Sequence, residues 1–226
     1  MKKLIFCTVL LATLTIPALA AQQGQKPAEM SAAKTGFVAD DDGGLTEIVP
    51  ADPSTQAPRP SGAAPAMKSV QQVSIFLGSA WGDAQVRPRQ SRLRDLAAAG
   101  RPAELRNHSV EVVPAAPLVE DFSDLSRTPV SDLAIQARLA EMLKTGAIPA
   151  PGANTVYVVF LAPGIQSTLG AGKAGVDYSA YHNLLHVAAG AIRYVVVPFN
   201  DNADRHSAAA SQALVSTVFN PTGGPQ

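Results

Sequence analysis

The chain has 226 residues, and its 18 Lys and Arg side chains are balanced by 18 Asp and Glu side chains. This balance excludes a strongly basic protein, so we expect neither nucleic acid nor an anionic membrane surface as a partner. The single cysteine, Cys7, lies in the segment that we predict below to be removed, so no disulfide is expected in the mature chain.

Residues 1–20 have the order of a secretory signal peptide. Two lysines form a basic start, residues 4–14 are mostly apolar, and residues 17–20 supply the small side chains that signal peptidase accepts. The apolar run is shorter than the roughly 18 residues of a membrane span. We therefore expect a secreted or periplasmic protein with no stable membrane span after signal cleavage. Loss of the two lysines leaves 16 basic side chains (18 minus 2) against 18 acidic ones, a net charge of −2.

Residues 21–69 are rich in Ala, Gln, Pro, Gly, Ser and Asp, and their apolar residues are scattered singly. Such a segment buries too little apolar surface to offset its ordering entropy, so we predict a disordered linker. A small docking element around residues 37–38 or 45–49 is the alternative. If the linker interpretation holds, deleting the segment should leave the thermal midpoint of residues 70–226 nearly unchanged.

The first half of residues 70–226 predicts two strands and two helices. The apolar run at 72–77 indicates a buried strand, and the alternating run at 109–113 a strand at a sheet edge. A helix is predicted at 87–99 and another at 131–144, the latter capped by Ser131 and followed by Gly146. The apolar positions of the second helix are Leu133, Ile135, Leu139, Met142 and Leu143.

The second half predicts a strand at 155–161, a mobile glycine-rich loop at 165–177, a strand at 192–197 and a helix after His206. The order β-α-β-α-β-β-α, with two continuously apolar strands, indicates a single α/β domain over 70–226. We expect its central sheet to be covered by helices on both faces.

Four arginines cluster at the start of the first predicted helix: Arg87, Arg89, Arg92 and Arg94. We expect a solvated helical face there rather than a phosphate site. Trp81 is the only tryptophan, and after a strand end it suits either the core or a sugar-stacking platform, with the core favoured.

His182 and His186 are four residues apart, a spacing that places both imidazoles on one face of a helix. Such a pair can bind zinc if a third ligand is present, and His206, Asp177 and Asp201 are the nearest candidates in sequence. The acidic neighbour of an H-E-x-x-H motif is missing, so hydrogen-bonded or surface histidines are favoured and metal ligation is the weaker alternative.

Four segments in order carry a family resemblance: residues 75–83, 130–165, 178–183 and 194–201. Their most specific part is a helix followed by an I-P-x-P…Y-V-V-F-x-x-P-G strand and then an aromatic-A-Y-H. Over residues 73–223 the chain resembles the EXORDIUM-like (phosphate-induced) family, and more specifically its secreted bacterial branch.

The resemblance implies a lost polar site on the last helix. Bacterial relatives continue there with roughly S-H-E-x-x-E-x-x-T-D-P, and the ligand-type positions of that motif fall here on Gln212, Ala213, Ser216, Phe219 and Asn220. The packing positions Leu214 and Val218 and the closing Pro221 are kept. The resemblance therefore implies no cofactor. The vestigial or ligand-binding site that it suggests consists of Tyr181, His182, Gln212 and Trp81.

Two functions are open at this point. The resemblance to a family whose plant members are linked to extracellular growth responses favours a secreted, non-catalytic, pseudoenzyme-like protein. It would be a binding or structural module for an unknown extracellular or periplasmic ligand. The alternative is a metal-dependent, peptidase-like hydrolase using His182, His186 and a carboxylate such as Asp201.

Overall fold

A computed structural model describes residues 36–42, 44–52, 64–94, 102–114, 119–121 and 129–224. The predicted signal peptide lies outside these residues, as does the predicted end of the first helix at Gly100. The strands are β1 (Phe37–Ala39), β2 (Leu45–Pro50), β3 (Ser69–Leu77), β4 (Glu111–Pro114), β5 (Val119–Asp121), β6 (Val130–Ser131), β7 (Thr155–Leu161), β8 (Ser167–Leu169), β9 (Gly172–Lys173), β10 (Tyr178–Val187) and β11 (Gly190–Val197). The helices are α1 (Arg87–Arg94), α2 (Ala103–Asn107), α3 (Asp132–Lys144) and α4 (Ala203–Phe219), and a 3-10 turn spans Ser79–Gly82.

The main sheet is mixed, with the order β1-β2-β10-β11-β7-β3-β4, and β5 pairs with the far end of β3. Its centre is parallel, because β11, β7, β3 and the short β4 and β5 all run in the same direction. The β1, β2 and β10 pairings are antiparallel. A second, three-stranded sheet has the order β6-β8-β9.

Both faces of the main sheet are covered, which explains why its central strands are continuously apolar. Alternate side chains of a strand point to opposite faces. Val158 and Phe160 of β7 pack with α4, α1 and α2, whereas Tyr157, Val159 and Leu161 pack with α3. The prediction of an α/β fold around a central sheet is therefore confirmed, and the structure shows that the sheet is mixed.

The helix predicted at 131–144 is confirmed as α3. The Ser131 side chain accepts a hydrogen bond from the backbone N–H of Ala134, and Gly146 follows the helix with a φ of 73°. One of its predicted core positions was wrong, since the Leu133 side chain is 46% exposed. The last helix begins at Ala203, before His206, because the Asn202 side chain caps it by accepting hydrogen bonds from the backbone N–H groups of Asp204 and Arg205.

The disordered linker predicted for 21–69 was wrong for its described part. Residues 37–39 and 45–50 form two strands of the main sheet, and Val38, Ile48 and Val49 are buried. Pairing with β10 satisfies the backbone groups of β2, while these three side chains enter the two cores. The docking alternative is thus the one that the structure shows, and the folded unit begins well before residue 70.

The second half of the chain differs from the sequence analysis at the loop predicted for 165–177 and at residues 181–186, where the histidine spacing was considered as one face of a helix. The predicted mobile loop at 165–177 contains β8 and β9, and a Cβ at Gly170 would lie 2.0 Å from the carbonyl oxygen of Ala39. This glycine is therefore required by close packing. Residues 181–186 belong to β10, which forms a hairpin with β11 through a two-residue turn closed by the pair Val187 and Gly190. Among the described residues, no helix has both the length and the apolar character needed to cross a membrane.

Candidate functional site

His182 and His186 do not form a metal site. They lie four residues apart on a strand rather than a helix, so their Cα atoms are separated by about 13 Å, at roughly 3.3 Å per residue. His182 is buried and His186 is exposed. Within the described part of the chain, no three or more His, Cys, Asp and Glu side chains are arranged to hold a metal ion. The hydrolase alternative thus loses the histidine pair on which it was built.

The His182 ring joins both ends of the folded unit to the sheet. Its Nε2 lies 2.7 Å from the carbonyl oxygen of Asn220, at the end of α4, and 3.8 Å from a carboxylate oxygen of Glu47 on β2. The Asn220 amide donates to the same Glu47 carboxylate at 2.9 Å. The Glu47 N–H donates to the carbonyl oxygen of Gly223 at 2.7 Å. This cluster is a structural joint between the N-terminal strands, β10 and the chain after α4.

Tyr181 points to the opposite face of the sheet, where it donates a 2.8 Å hydrogen bond to Asp132. The Tyr194 hydroxyl donates to both oxygens of the same carboxylate, and the side-chain amides of Gln136 and Asn183 donate to it as well. Burial is the main cause that raises the pKa of Asp132, and hydrogen bonds from these four side chains lower it in part. Sequence reasoning missed this cluster.

The Asp132 cluster is built for anchoring rather than for reaction. Asp132 is 1% exposed and both hydroxyl donors are fully buried, so only the half-buried Asn183 and Gln136 connect it towards solvent. Burial also raises the pKa values of Tyr181 and Tyr194 well above their ordinary range, which keeps both hydroxyls protonated as donors. The cluster fastens the N-terminus of α3 to β10 and β11.

Trp81 and Gln212 do not join His182 and Tyr181 in one pocket. Trp81 is fully buried, and its indole N–H donates to the carbonyl oxygen of Phe160 at 3.1 Å, so the favoured core interpretation is confirmed. Gln212 is half-buried in the middle of α4. It lies eight residues, about 12 Å along the helix axis, before the Asn220 that contacts His182. This spacing argues against one site shared by Gln212 and His182.

An open groove of about 260 Å³ lies at the carboxyl ends of the parallel strands. It is bounded by the segment that leaves β3 and by the segment that leaves β11, the edge at which open α/β sheets bind their ligands. The lining residues are Gln85, Val86, Pro88, Arg89, Arg92, Phe199 and Ala203. None of them carries a carboxylate, and two carry a guanidinium.

Arg89 holds the two walls of the groove together. Its guanidinium donates to the carbonyl oxygens of Asn200 and Asp201 at 2.6 and 2.8 Å, and it lies 5.3 Å from the ring centre of Phe199. Arg92 is held loosely, 3.8 Å from the Asp204 carboxylate, with side chains that are 60% and 98% exposed. The expectation of a solvated arginine face is therefore incomplete, because Arg89 and Arg92 also line a concave surface.

His206 lies behind the groove and lacks polar partners. It is fully buried, and neither ring nitrogen has a hydrogen-bond partner among the described protein atoms. Its ring packs edge-on against Phe199, which lines the groove, with centres 5.4 Å apart, and against Phe160. Burial, with a smaller contribution from the charge of Arg89, lowers the pKa of His206 to about 4. A buried polar group without a partner calls for an explanation in function or in a bound molecule.

Comparison of the chain with protein-family models, with curated proteins and with solved structures found no match. The resemblance to the EXORDIUM-like family therefore stays a prediction from the sequence.

Proposed function

We propose that the protein is a secreted or periplasmic, non-catalytic module that binds a small ligand in the groove between Arg89, Arg92 and Phe199. The order of residues 1–20 supports export. Descent from an EXORDIUM-like ancestor is part of the same proposal, and the ordered segments from residue 75 to residue 201 support it. The observation that carries the binding function is the open groove at the carboxyl edge of the parallel strands.

The groove is suited to binding because it combines an aromatic ring, apolar side chains and fixed charges. Phe199 and Val86 offer apolar contact area, while Arg89 is held rigidly by two backbone carbonyls. Ligand sites in proteins are typically concave and mostly apolar, with a few well-placed polar groups. A volume of about 260 Å³ lies just below the roughly 300 Å³ at which sites for drug-sized ligands begin, so the ligand is small.

The surroundings of the groove support a non-catalytic role. Among the described residues, its lining contains no Ser, Thr, Cys, His, Asp or Glu that could act as nucleophile or general base at the surface. His206 is held neutral behind Phe199, and the Asp132 cluster is on the other face of the sheet. Binding without turnover is the activity that this set of side chains supports.

A thermal-shift screen of the purified protein against a panel of small metabolites tests the proposal. A ligand of the groove should raise the melting temperature of the wild type but not of Ala203→Trp, in which an indole fills the groove. The matched control is Ala208→Trp on the exposed face of α4, which should respond as the wild type does. A ligand that stabilises Ala203→Trp equally well would show that the groove is not the site.

A further inference from the structure

We propose that the ligand of the groove is a small anion, a carboxylate or a phosphate, held by Arg89 and Arg92 with the His206 imidazole as the buried polar partner. This inference rests on the proposed binding function and names its ligand class. Three features of the groove support it: the charge of the lining, the loose pairing of Arg92 with Asp204, and the buried histidine in contact with Phe199.

The charge of the lining is positive. Both ionisable side chains that line the groove are arginines. A guanidinium has five N–H donors, and Arg89 uses two of them on the carbonyl oxygens of Asn200 and Asp201. Its orientation is therefore fixed before a ligand arrives, and further donors are left. Planar guanidinium groups recognise carboxylates and phosphates through paired hydrogen bonds.

Arg92 supplies a second cation whose present partner can be displaced. Its distance of 3.8 Å to the Asp204 carboxylate is longer than a charge-assisted hydrogen bond, and both side chains are exposed. An ion pair of this kind contributes little. Asp204 thus competes weakly with an anion in the groove, and removing its charge should help the ligand rather than harm it. The first N–H groups of α4 are already bonded to Asn202, so the positive charge comes from the arginines.

The His206 imidazole is a buried polar group in contact with Phe199, which lines the groove together with the two arginines. Neither of its ring nitrogens has a hydrogen-bond partner within the described part of the chain, although the ring is fully buried. It contacts Phe199 and shares the α4 surface with Ala203, one turn earlier, and both of these residues line the groove. The half-buried Phe199 ring touches the imidazole and also lines the groove, whereas His206 itself is not among the lining residues. A ligand that shifts this ring would give His206 the hydrogen bond that the free protein does not provide.

Isothermal titration of the purified protein with sodium phosphate and, separately, with sodium benzoate tests the inference, at constant ionic strength set with NaCl. Saturable binding of one of them is expected, and the two arms distinguish a phosphate ligand from a carboxylate ligand. Arg92→Gln should weaken binding at least tenfold, whereas Asp204→Asn should tighten it several-fold. Lys144→Gln on α3 removes the same charge from the opposite face of the sheet and should leave the affinity unchanged.

His206 is tested with a pair of variants. His206→Leu should weaken binding about tenfold, and His206→Gln, which keeps a donor and an acceptor, should retain most of the affinity. Equal affinity in the wild type and His206→Leu would overturn the role of the imidazole.

The outcomes separate this inference from the proposed function. If neither anion binds, but neutral compounds stabilise the wild type and not Ala203→Trp, the groove binds a ligand and the anionic class is wrong. If Arg92→Gln and Lys144→Gln weaken binding equally, the effect is that of net charge and the arginine site is refuted. If no compound of either kind binds, both proposals fail.

Discussion

Replacement of His206 by leucine should stabilise the protein, although His206 is a fully buried residue of the core. The imidazole occupies an apolar setting between Phe160 and Phe199, and its two nitrogens have lost water without gaining a partner among the residues that the structure describes. Leaving such groups unpaired costs about 1–3 kcal/mol, and an apolar replacement of similar size removes that cost. We expect His206→Leu to raise the free energy of unfolding by about 1 kcal/mol at pH 7.5.

The gain should be larger in acid. The folded protein keeps the His206 imidazole neutral because its pKa is lowered to about 4, whereas the unfolded chain is protonated below the ordinary value of 6.5. Between these values the unfolded state binds the extra proton, so stability present above pH 6.5 is lost as the pH falls towards about 4. At pH 5 the wild type has lost about 2 kcal/mol through this group, and His206→Leu has not.

Urea denaturation followed by far-UV circular dichroism at pH 7.5 and pH 5 measures both effects, provided that the slope against urea is the same for the two proteins. His186→Leu, which replaces an exposed histidine on β10, is the control and should stay within about 0.5 kcal/mol of the wild type. A destabilisation of more than about 1 kcal/mol that is equal at both pH values would refute the reasoning, because it would mean that the imidazole has partners in the fold.

Three further changes have defined outcomes. The difference in the free energy of unfolding between the wild type and Asp132→Asn should fall as the pH rises. Burial raises the pKa of Asp132, so the stability that its carboxyl group contributes is complete below the ordinary pKa and is lost as the pH rises through the raised pKa. Urea denaturation of both proteins from pH 4 upward measures this difference. Deletion of residues 21–52 should lower the melting temperature by more than about 10 °C, since three buried side chains worth about 1.5–3 kcal/mol each are lost. Gly78→Ala should cost about 3 kcal/mol in urea denaturation, because φ is 109° and the new Cβ would lie 2.6 Å from that of Ala162.

Each of the three has a contrasting result. A difference between wild type and Asp132→Asn that grows with pH would mean that the hydrogen-bond donors outweigh burial in setting the pKa. An unchanged melting temperature on deletion would restore the linker prediction. Gly146→Ala is the control for the glycine, because its φ is 73° but no atom lies within 4 Å of the new Cβ. Equal losses in the two alanine variants would show that backbone conformation, and not the close contact, sets the cost.

The elements that sequence reasoning located best are those whose signal is local. The strand at 155–161 has the predicted bounds because a run of β-branched and aromatic residues lies between Pro-Gly pairs. The pattern at 181–186 failed because a spacing of four residues lies on one face of a strand as well as of a helix. The N-terminal strands were missed for a different reason: their stability comes from pairing with β10, more than 120 residues away in the chain.

The site residues required the fold almost entirely. The Asp132 carboxylate and its tyrosine donors are 49 and 62 positions apart, and no periodicity connects them. Arg89 and Phe199 of the groove are separated further still, and their contact depends on α1 lying beside the segment that follows β11. The sequence offered one signal for the groove, the cluster of arginines on α1, but only the structure separates the two that line a concave surface from the rest.

The pairing of β2 with β10 also keeps the edge of β10 from pairing with another copy of the protein. The sequence of β10 is YSAYHNLLHV, which contains no proline, lysine or carboxylate, the residues that usually keep an open strand edge from pairing with another molecule. In the folded chain β2 covers the first part of that edge, from Tyr178 to Tyr181. A protease cut that released β1 and β2 would therefore leave the edge of β10 unpaired. Loss of these two strands would lead to self-association of the remaining protein through that edge.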